Sequence, residues 1–404
     1  MSTNANRLPV ELWYYIFRIA VHVPLLFCIE WEYFPQERLW EGWESIEDIA
    51  METKRAIVQV CRSWREVGVQ FLYEAIQLRE EESERIMDLV NVLQQSASAS
   101  GQGYGGWIKR IDCHSTLVSS EDVERLASLL ECCHNLQILS ISAHEGSEAG
   151  IQTRLNPIIQ SRFVHSLNRL DYFVDNIFKD GFLPNVRLTS LGIDPLQLSS
   201  DTPLHPSLAE VTTLTINPSS TGVIRHFPSQ WHLPRLRTLA IMHLIDPEIP
   251  VLQPFIERHQ STLIHLSLQV ATSASPRNPG RLLGSLSCLQ SVTLNDKDIP
   301  GLTRTARQDG RNANPTVEYL GIIPFSTSHN LDRDCITKGL GDILQHGVFP
   351  KLKVVRLLCE RDHELFTTQA ADYWDAAVEL CELHLVRLES REGKLISGQF
   401  RPAR

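Results

Sequence analysis

The sequence predicts an α/β protein in which an all-helical head, residues 6–79, precedes an irregular repeat solenoid, residues 107–390, with a parallel sheet on its concave face. Two observations lead to this prediction. Apolar residues recur at helical spacing near the N terminus, and a short strand-like pattern recurs eleven times after Trp107. With 404 residues, of which 43% are hydrophobic and 21% charged, the chain has room for two or three globular domains.

The head begins with one amphipathic helix. Leu8, Leu12, Ile16 and Ile19 follow one another at intervals of three or four residues, and Pro9 suits a first helical turn, where no N–H is needed. A second helical segment is predicted to begin after Thr53, which would cap it. Its apolar positions are Ile57, Val60, Cys61, Trp64, Val67, Phe71 and Leu72. Helices this short cannot bury both stripes alone, so a partner is expected to cover part of them.

Two motifs in the head resemble an F-box, the small helical module that docks a receptor onto the Skp adaptor of cullin-RING ubiquitin ligases. They are Leu-Pro-x-Glu-Leu-x-x-x-Ile-Phe at residues 8–17 and Val-Cys-Arg-x-Trp-Arg at residues 60–65. The continuation Phe71-Leu72-Tyr73-Glu74 is similar to fungal F-box proteins that carry leucine-rich repeats. The resemblance implies that the adaptor-binding residues are Leu8, Pro9, Leu12, Ile16, Phe17, Val60 and Trp64.

An insertion at residues 24–52 separates the two motifs, where a compact F-box needs only a short link. It holds eight acidic residues against one basic residue, Arg38, and these are interleaved with Trp31, Tyr33, Phe34, Trp40 and Trp43. One interpretation is an exposed acidic and aromatic loop that contacts a partner. The other, which the low cost of long surface insertions favours, is a solvated loop whose aromatic side chains tuck back onto the head.

Residues 80–106 are predicted to form a helix followed by a flexible linker. Ile86, Leu89, Val90 and Leu93 lie at helical spacing, and residues 101–106 are rich in glycine. These glycines do not read as a phosphate-binding loop, because no strand precedes them and a strand rather than a helix is predicted to follow.

The repeats share the pattern apolar-x-x-apolar-x-apolar, with a period of 21–35 residues. The middle residues of the eleven copies are Ile111, Leu139, Leu170, Leu191, Leu214, Leu239, Leu266, Val292, Leu320, Val355 and Leu383. One short strand per copy at this period is typical of leucine-rich repeats, whose strands stack into a parallel sheet. Helices are predicted between strands at residues 120–133, 249–259 and 336–345, and residues 391–404 form a C-terminal tail. The asparagine ladder of regular repeats is largely missing.

Residues that flank the inward leucines are predicted to point out of the concave face, where a partner would bind. They are mostly small and polar, which suits a protein or peptide more than a highly charged ligand. The predicted substrate-binding residues are Asp194, Asn217, Met242, Gln269, Asn295, Tyr319 and Arg356, with Ser140, Thr215 and His265 at equivalent positions. The alternative for each is that it merely faces water. Arg356, Arg361 and Arg387 would suit a phosphate if they converge.

The net charge and the cysteine pattern limit the cellular compartments and the classes of partner that the sequence suggests. A formal net charge of -10 argues against a nucleic-acid or anionic-membrane binder. The polar N terminus lacks the apolar core of a secretory signal, and the apolar run at residues 19–29 is too short to span a bilayer. Nine scattered cysteines without a Cys-x-x-Cys pair indicate neither a disulfide framework nor a zinc site. A reduced compartment, cytoplasmic or nuclear or both, is expected.

The search for catalytic chemistry gives little. The sequence contains neither a Gly-x-Ser-x-Gly turn nor a Gly-x-x-x-x-Gly-Lys-Ser/Thr loop, and His363-Glu364 lacks the second histidine of a zinc protease. Cys61 is expected on a buried helix face, where a thiol is inert. We therefore expect that the chain is not an enzyme and has no catalytic residue, cofactor or metal.

The resemblance and the repeats together suggest a substrate-recognition subunit of an SCF-type ubiquitin ligase. Its head would dock a Skp adaptor, and through it a cullin-RING ligase, while its repeats would hold an unknown substrate protein. The rival is a repeat scaffold whose F-box-like head is only an N-terminal cap. A cap would turn Leu12, Ile16 and Trp64 onto the Ile111 repeat, whereas a docking module leaves them partly exposed. A third reading, adaptor binding without ubiquitin transfer, has the same sequence signature as the first.

Overall fold

The computed structural model describes seventeen stretches of the chain. They are residues 8–23, 26–27, 43–78, 83–100, 103–117, 119–143, 151–173, 186–194, 206–217, 231–244, 249–270, 280–309, 314–323, 333–358, 371–390, 393 and 395–396. The helices in these stretches are α1 Val10–Ala20, α2 Trp43–Val60, α3 Arg62–Tyr73, α4 Ser83–Ser100, α5 Ser120–Cys132, α6 Asn156–Arg162, α7 Ile249–Arg258, α8 Gly280–Gly284, α9 Ile299–Asp309, α10 Arg333–Gln345 and α11 Ala371–Leu383.

Twelve strands form one parallel sheet and are hydrogen-bonded in chain order. The strands are β1 Ala75–Leu78, β2 Arg110–Leu117, β3 Ile138–Ala143, β4 Arg169–Phe173, β5 Ser190–Ile193, β6 Thr213–Ile216, β7 Thr238–Leu244, β8 His265–Val270, β9 Ser291–Asn295, β10 Tyr319–Ile323, β11 Val354–Leu357 and β12 Arg387–Glu389. A mixed α/β fold with a parallel sheet is therefore confirmed.

The repeat pattern sets the register of this sheet. Ile111 pairs with Leu139 and Leu139 with Leu170, and the same position continues through Leu214 with Leu239 and Leu266 with Val292. The middle residues of the first ten predicted copies all lie in β2–β11, and each is at most 1% exposed. Because side chains alternate along a strand, these residues and the apolar residue two positions later point to the same, buried side of the sheet.

The sheet begins earlier than the sequence predicts. Tyr73, Ile76 and Leu78 fit the repeat pattern, and β1 pairs with β2 through Ile76 and Ile111. Residues 75–78 are therefore the first strand of the sheet rather than the end of the head, and the helix predicted after residue 80 is confirmed as α4. The predicted connector is ordered where it is described, because residues 104–107 form a 3₁₀ turn. Tyr104 in this turn stacks on both Tyr73 and Trp107, with ring centroids 4.9 Å and 5.1 Å away.

The predicted last copy is wrong. Leu380 and Leu383 lie in α11, and Leu385 follows that helix as a largely exposed residue. The strand itself comes slightly later, as β12, in which Leu388 and Glu389 are buried, and Val386 just before it is buried too. The leucines at residues 380, 383 and 385 fit both a strand pattern and a helical spacing. The helix forms because it buries Ala377 and Cys381.

Two local predictions about the head are also corrected. Thr53 is not a cap, because α2 begins ten residues earlier and Thr53 donates its hydroxyl to the carbonyl of Ile49 inside that helix. Cys61 is exposed rather than buried, since it occupies the break between α2 and α3. The end of the insertion is thus helical, while its residues 28–42 lie outside the described stretches.

The predicted helices between strands are confirmed at α5, α7 and α10. The clearest is α5, which begins with a capping box: Ser119 accepts from the N–H of Asp122, and the Asp122 carboxylate accepts from the N–H of Ser119. Val123, Leu126 and Leu130 are its fully buried face.

By compactness, the chain divides into two units. The first contains residues 1–30, 36–192 and 205–208, which include the head and strands β1–β4, and the second contains residues 31–35, 193–204 and 209–404, which include β6–β12. Among the described helices, none combines the length and apolar character that a membrane span requires.

Candidate functional site

The head is a small three-helix unit with its own core. Phe17, Val21, Ile57 and Phe71 are buried together at its centre, contributed by α1, the turn after it, α2 and α3. Gly68 lets α3 approach α2 closely, because a Cβ at this position would lie 2.7 Å from Cγ2 of Ile57. The core holds α1 against the other two helices.

Aromatic rings from the two motifs interlock in this core. The Trp64 ring lies 4.7 Å from that of Trp13 and 4.9 Å from that of Phe17, and Trp13 and Phe17 are 5.6 Å apart. Phe17 is 1% exposed and Trp64 is half-buried. These two predicted adaptor-binding residues therefore shape the surface from beneath, and Phe17 itself presents nothing to a partner.

The remaining predicted adaptor-binding residues stay on the surface. On α1, Leu12 and Ile16 are 46% and 44% exposed, and Leu8 and Pro9, just before the helix, are also exposed. Sequence analysis left Tyr15 out of the set, and Ile19 continues the stripe at 77% exposure. Leu12, Tyr15 and Ile19 are spaced by three and four residues, so they share one face of α1, and Leu8 lies just before it. We call these side chains, with Ile16 and Pro9, the α1 stripe.

A second apolar stripe lies on α2. Ile49 and Val60 are 64% and 59% exposed, and Ala56 between them is exposed too. Ile49, Thr53, Ala56 and Val60 are spaced by four, three and four residues, so they also share one face, here called the α2 stripe. Val60 was predicted from the sequence, whereas Ile49 was not, because residues 24–52 were expected to form a loop. Ile49 could have been found by continuing the helical spacing from Val60 toward the N terminus.

Other residues of the head attach it to the first strands. Glu74 links α3 to β1 and forms two salt bridges. Its Oε1 lies 2.8 Å from Nη1 of Arg18 and 3.0 Å from Nζ of Lys109. Both cations also lie within 6 Å of the Phe27 ring centroid, at 5.9 Å and 5.7 Å. Glu74 is buried, so this arrangement replaces its lost hydration with two charged partners.

The segment after α1 packs on the sheet. Val23 and Leu26 are buried with Ala50 of α2, and Phe27 packs there beside Ala75 of β1. The Leu26 carbonyl accepts a hydrogen bond of 2.6 Å from Nη1 of Arg110 on β2. Val23, Leu26 and Phe27 therefore cover the end of the sheet, and the stripes on α1 and α2 take no part in that cover.

Strand side chains that alternate with the core residues form a second surface of the sheet, which we call the alternate face. All seven predicted substrate-binding residues lie an odd number of positions from a core residue of their strand, so their strand positions belong to the alternate face. However, the expectation that they face solvent is wrong for four of them: Asp194, Asn217, Met242 and Asn295 are only 3–6% exposed. Tyr319 and Arg356 are half-buried, and the side chain of Gln269 lies outside the described set. The period of a strand predicts which side of a sheet a residue faces but not what lies over it.

Two buried ion pairs on the alternate face were missed. Arg110 pairs with Asp112 at 2.6 Å on β2, and Arg169 pairs with Asp171 at 2.6 Å on β4. Ser140 of β3 lies in register between the two aspartates. Oδ1 of both aspartates and Oγ of Ser140 are buried without a hydrogen-bond partner in the described parts of the chain. Both pairs could have been predicted from the repeated sequence Arg-apolar-Asp, because residues two positions apart on a strand lie on the same face.

His259 is the best-defined buried histidine. Its Nε2 accepts the N–H of Leu233 at 3.0 Å, which leaves Nδ1 to donate to the Phe255 carbonyl at 2.8 Å. Burial lowers the pKa of His259, and nearby His232 and Arg258 lower it further, against the opposing effect of the Phe255 carbonyl. A histidine with both nitrogens engaged in this way is a structural residue. Among the described residues, no group of His, Cys, Asp and Glu is arranged to hold a metal.

Comparison of the sequence with protein-family models found no match, and comparison with curated proteins found none either. The structure shows a mixed α/β protein with a parallel sheet and a helical head that exposes two apolar stripes.

Proposed function

We propose that this chain is the substrate-recognition subunit of an SCF-type ubiquitin ligase and that its head, as an F-box, docks a Skp adaptor. The observation that carries the proposal is the exposure of the α1 and α2 stripes. Leu8, Leu12, Ile16 and Val60 belong to the two F-box-like motifs, and they remain on the surface although the head has a well-formed core beneath them. Exposed apolar patches of this kind mark partner-binding surfaces.

In this role the protein does no bond making. The adaptor connects it to a cullin-RING ligase, and the sheet domain, built as leucine-rich repeats, holds a substrate protein near the ubiquitin-loading module. The rate gain comes from proximity and orientation. A cytoplasmic or nuclear location, or both, goes with this assignment.

The rival function is a repeat scaffold capped by its head. The packing of Val23, Leu26 and Phe27 on the first strands favours it, because a cap is needed at that end. Capping alone gives no reason for the exposure of Leu12 and Ile16, which do not turn toward Ile111. The two roles are carried by different residues, so the head can serve both.

The test is co-expression of the full chain with a Skp adaptor, followed by size-exclusion chromatography. The informative variant is Leu12→Asp/Ile16→Asp, which places two charges in the α1 stripe without touching the Phe17 core. The matched control is Leu383→Asp, at an exposed leucine on α11. We expect the wild type and the control to co-elute with the adaptor and the double variant to elute alone. Leu8→Ala/Pro9→Ala should likewise lose the adaptor.

Point variants are preferable to a deletion here. Removing residues up to Gly106 would also remove β1, which pairs with β2, so a loss of binding would have two explanations. If the wild type fails to co-elute, or if the double variant co-elutes as well as the control, the docking proposal is wrong. The capped scaffold would then be the better description.

A further inference from the structure

The head meets the first strands of the sheet through very little chain. Helix α3 ends at Tyr73 and β1 begins at Ala75, so Glu74 alone lies between them. The apolar contact beside this junction is also small, and its members are Val23, Leu26, Phe27, Ala50 and Ala75. Two folded parts that share a small interface are expected to move relative to each other unless something else holds them.

Glu74 is bonded to both sides of the junction. Its carboxylate accepts from Nη1 of Arg18, in the last turn of α1, at 2.8 Å and 3.0 Å, and from Nζ of Lys109 at 3.0 Å. Its backbone carbonyl accepts the N–H groups of Lys109 and Arg110 at 2.9 Å and 3.1 Å, at the start of β2. Glu74 therefore joins the helix that carries the α1 stripe to the second strand of the sheet.

The segment after α1 makes a second polar connection to the sheet. Nη1 of Arg110 donates to the Leu26 carbonyl at 2.6 Å, and Nε of the same guanidinium donates to Oδ2 of Asp112 at 2.6 Å. The Arg110 side chain is only 4% exposed, so this bond is protected from water. The bond to Asp112 orients the guanidinium that holds Leu26.

These polar bonds give the junction a direction. Burial of apolar side chains is non-directional, so the contact of Leu26 and Phe27 alone would tolerate rotation of the head. Hydrogen bonds to ionised groups are short and require a defined geometry. Arg18 and Lys109 also lie within cation–π range of the Phe27 ring. A rotation of the head would therefore break several of these contacts at once.

Compactness agrees with such a connection, because the head and strands β1–β4 belong to the same unit of the chain. The net stability that buried ionic networks supply is often small, and in some proteins their role is to fix one arrangement among several. That role fits the network around Glu74.

We propose that Arg18, Glu74, Lys109 and Arg110 are positioning residues that hold the head in one orientation relative to strands β1–β4. None of the four belongs to the α1 or α2 stripe, so they act on the docking surface only through its orientation. This inference rests on the proposed function in one respect: a docked adaptor would then point in a fixed direction from the sheet, which transfer by proximity requires.

The experiment measures methyl residual dipolar couplings of the full chain, labelled at Ile, Leu and Val and aligned in an uncharged stretched gel, without adaptor. One alignment tensor is fitted to methyl groups of the head, such as those of Ile57 and Val67. A second is fitted to methyl groups of β2–β4, such as those of Ile111 and Leu139. In the wild type we expect the two tensors to agree in magnitude and direction, because a single rigid body has one tensor.

The informative variant is Glu74→Gln, which removes the charge from both ion pairs and keeps the size of the side chain. We expect its head tensor to become smaller than that of the strands, because the head then samples several orientations. Glu124→Gln is the matched control, since it breaks the exposed ion pair with Arg154 and involves none of the four positioning residues; its tensors should stay equal. If Glu74→Gln fails to fold, Lys109→Met takes its place, since it removes one cation and keeps an aliphatic side chain.

Thermal denaturation of the same proteins separates positioning from stability. A lower Tm with two equal tensors in the joint variant would make Glu74 a stabilising residue only and would overturn the inference. Tensors that already differ in the wild type would overturn it too. Because no adaptor is present, failure of this measurement leaves adaptor docking untouched, and failure of adaptor co-elution leaves the measured orientation standing.

Discussion

Leu385 is held in a conformation that suits glycine. It has φ +58° at the end of α11, where Leu385 N–H bonds to the Glu382 carbonyl and Val386 N–H to the Cys381 carbonyl. This pair of bonds is a Schellman motif, and a left-handed residue with a Cβ is strained at its centre. Its side chain is 91% exposed and contributes little packing in return.

We therefore expect Leu385→Gly to raise the free energy of unfolding by about 1 kcal/mol, because glycine adopts this backbone without strain. Urea denaturation followed by circular dichroism measures the change. Leu383→Gly is the control: it lies in the right-handed end of α11 and should lower stability by up to about 1 kcal/mol. A destabilised Leu385→Gly would mean that the leucine makes a contact worth more than its strain.

His259 makes stability depend on pH in a defined direction. Its folded pKa is lowered from 6.5, so between that value and the folded pKa the unfolded chain binds more protons. The contribution is fully present above pH 6.5 and is lost as the pH falls. His265, whose pKa is also lowered by burial, acts in the same direction.

On lowering the pH from about 7.5 to 5.5, we expect His259 to reduce the free energy of unfolding, because the unfolded chain takes up the proton first. The measurement is urea denaturation at both pH values. His259→Gln keeps an acceptor for the Leu233 N–H but does not titrate, so its pH dependence should be smaller. An equal pH dependence in the two proteins would show that His259 does not titrate in this range.

At the scale of elements, the turn at residues 103–107 depends on close backbone contact. A Cβ on Gly105 would lie 2.0 Å from the carbonyl oxygen of Cys132, at the end of α5, and a backbone atom cannot rotate away. Gly103, with φ +60°, reverses the chain just before this contact. Gly103 and Gly105, which were expected in a flexible linker, are thus required by the backbone conformation and by packing.

Gly105→Ala should lower the unfolding free energy by about 2–3 kcal/mol, because the 3₁₀ turn must move away from α5. Thermal denaturation would show this as a lower Tm. Gly341→Ala, in the middle of α10 with space for its methyl group, should instead raise stability by up to about 1 kcal/mol. An unchanged Tm for Gly105→Ala would mean that the turn can shift at no cost.

Elements with strong local patterns were predictable from sequence. Helix α5 was found because Ser119 caps it and Val123, Leu126 and Leu130 share one face. In contrast, β1 was missed because Ile76 and Leu78 follow so closely on a motif already assigned to the head. The exposed part of α2 was missed because the acidic residues around Ile49 resemble a solvated loop. Local sequence does not tell whether neighbouring structure will extend an element.

At the scale of the whole molecule, ten of the predicted strand copies are confirmed as strands, because each has two buried apolar residues on the same side of the sheet. Leu139 and Leu239 could be placed in that way without knowing their partners. The candidate binding surface was less predictable. Asp194 and Asn217 were expected to point out of the sheet toward a partner, and they are buried. Strand alternation predicts the side of a sheet on which a residue lies but not its exposure.

The shared sheet predicts that removal of residues 1–106 is more harmful than removal of residues 1–73. The longer deletion takes away β1 and α4 and exposes Ile111, Val123 and Leu126, which are fully buried in the intact chain. We expect the longer deletion to aggregate or to be degraded by trypsin at least tenfold faster. Limited proteolysis of both proteins beside the full chain makes the comparison. Equal resistance would show that the first repeat is dispensable.

The joint at Glu74 also affects how such a chain can change in evolution. Helix α3 ends at Tyr73 and β1 begins at Ala75, so one residue separates the head from the sheet, and that residue is itself bonded to Arg18 and Lys109. An insertion of a single residue here would turn every side chain of β1 to the opposite face. Recombination that exchanged heads at this point would have to preserve length, register and three charges at once. Substitutions in the head and in the first repeat are therefore expected to be inherited together.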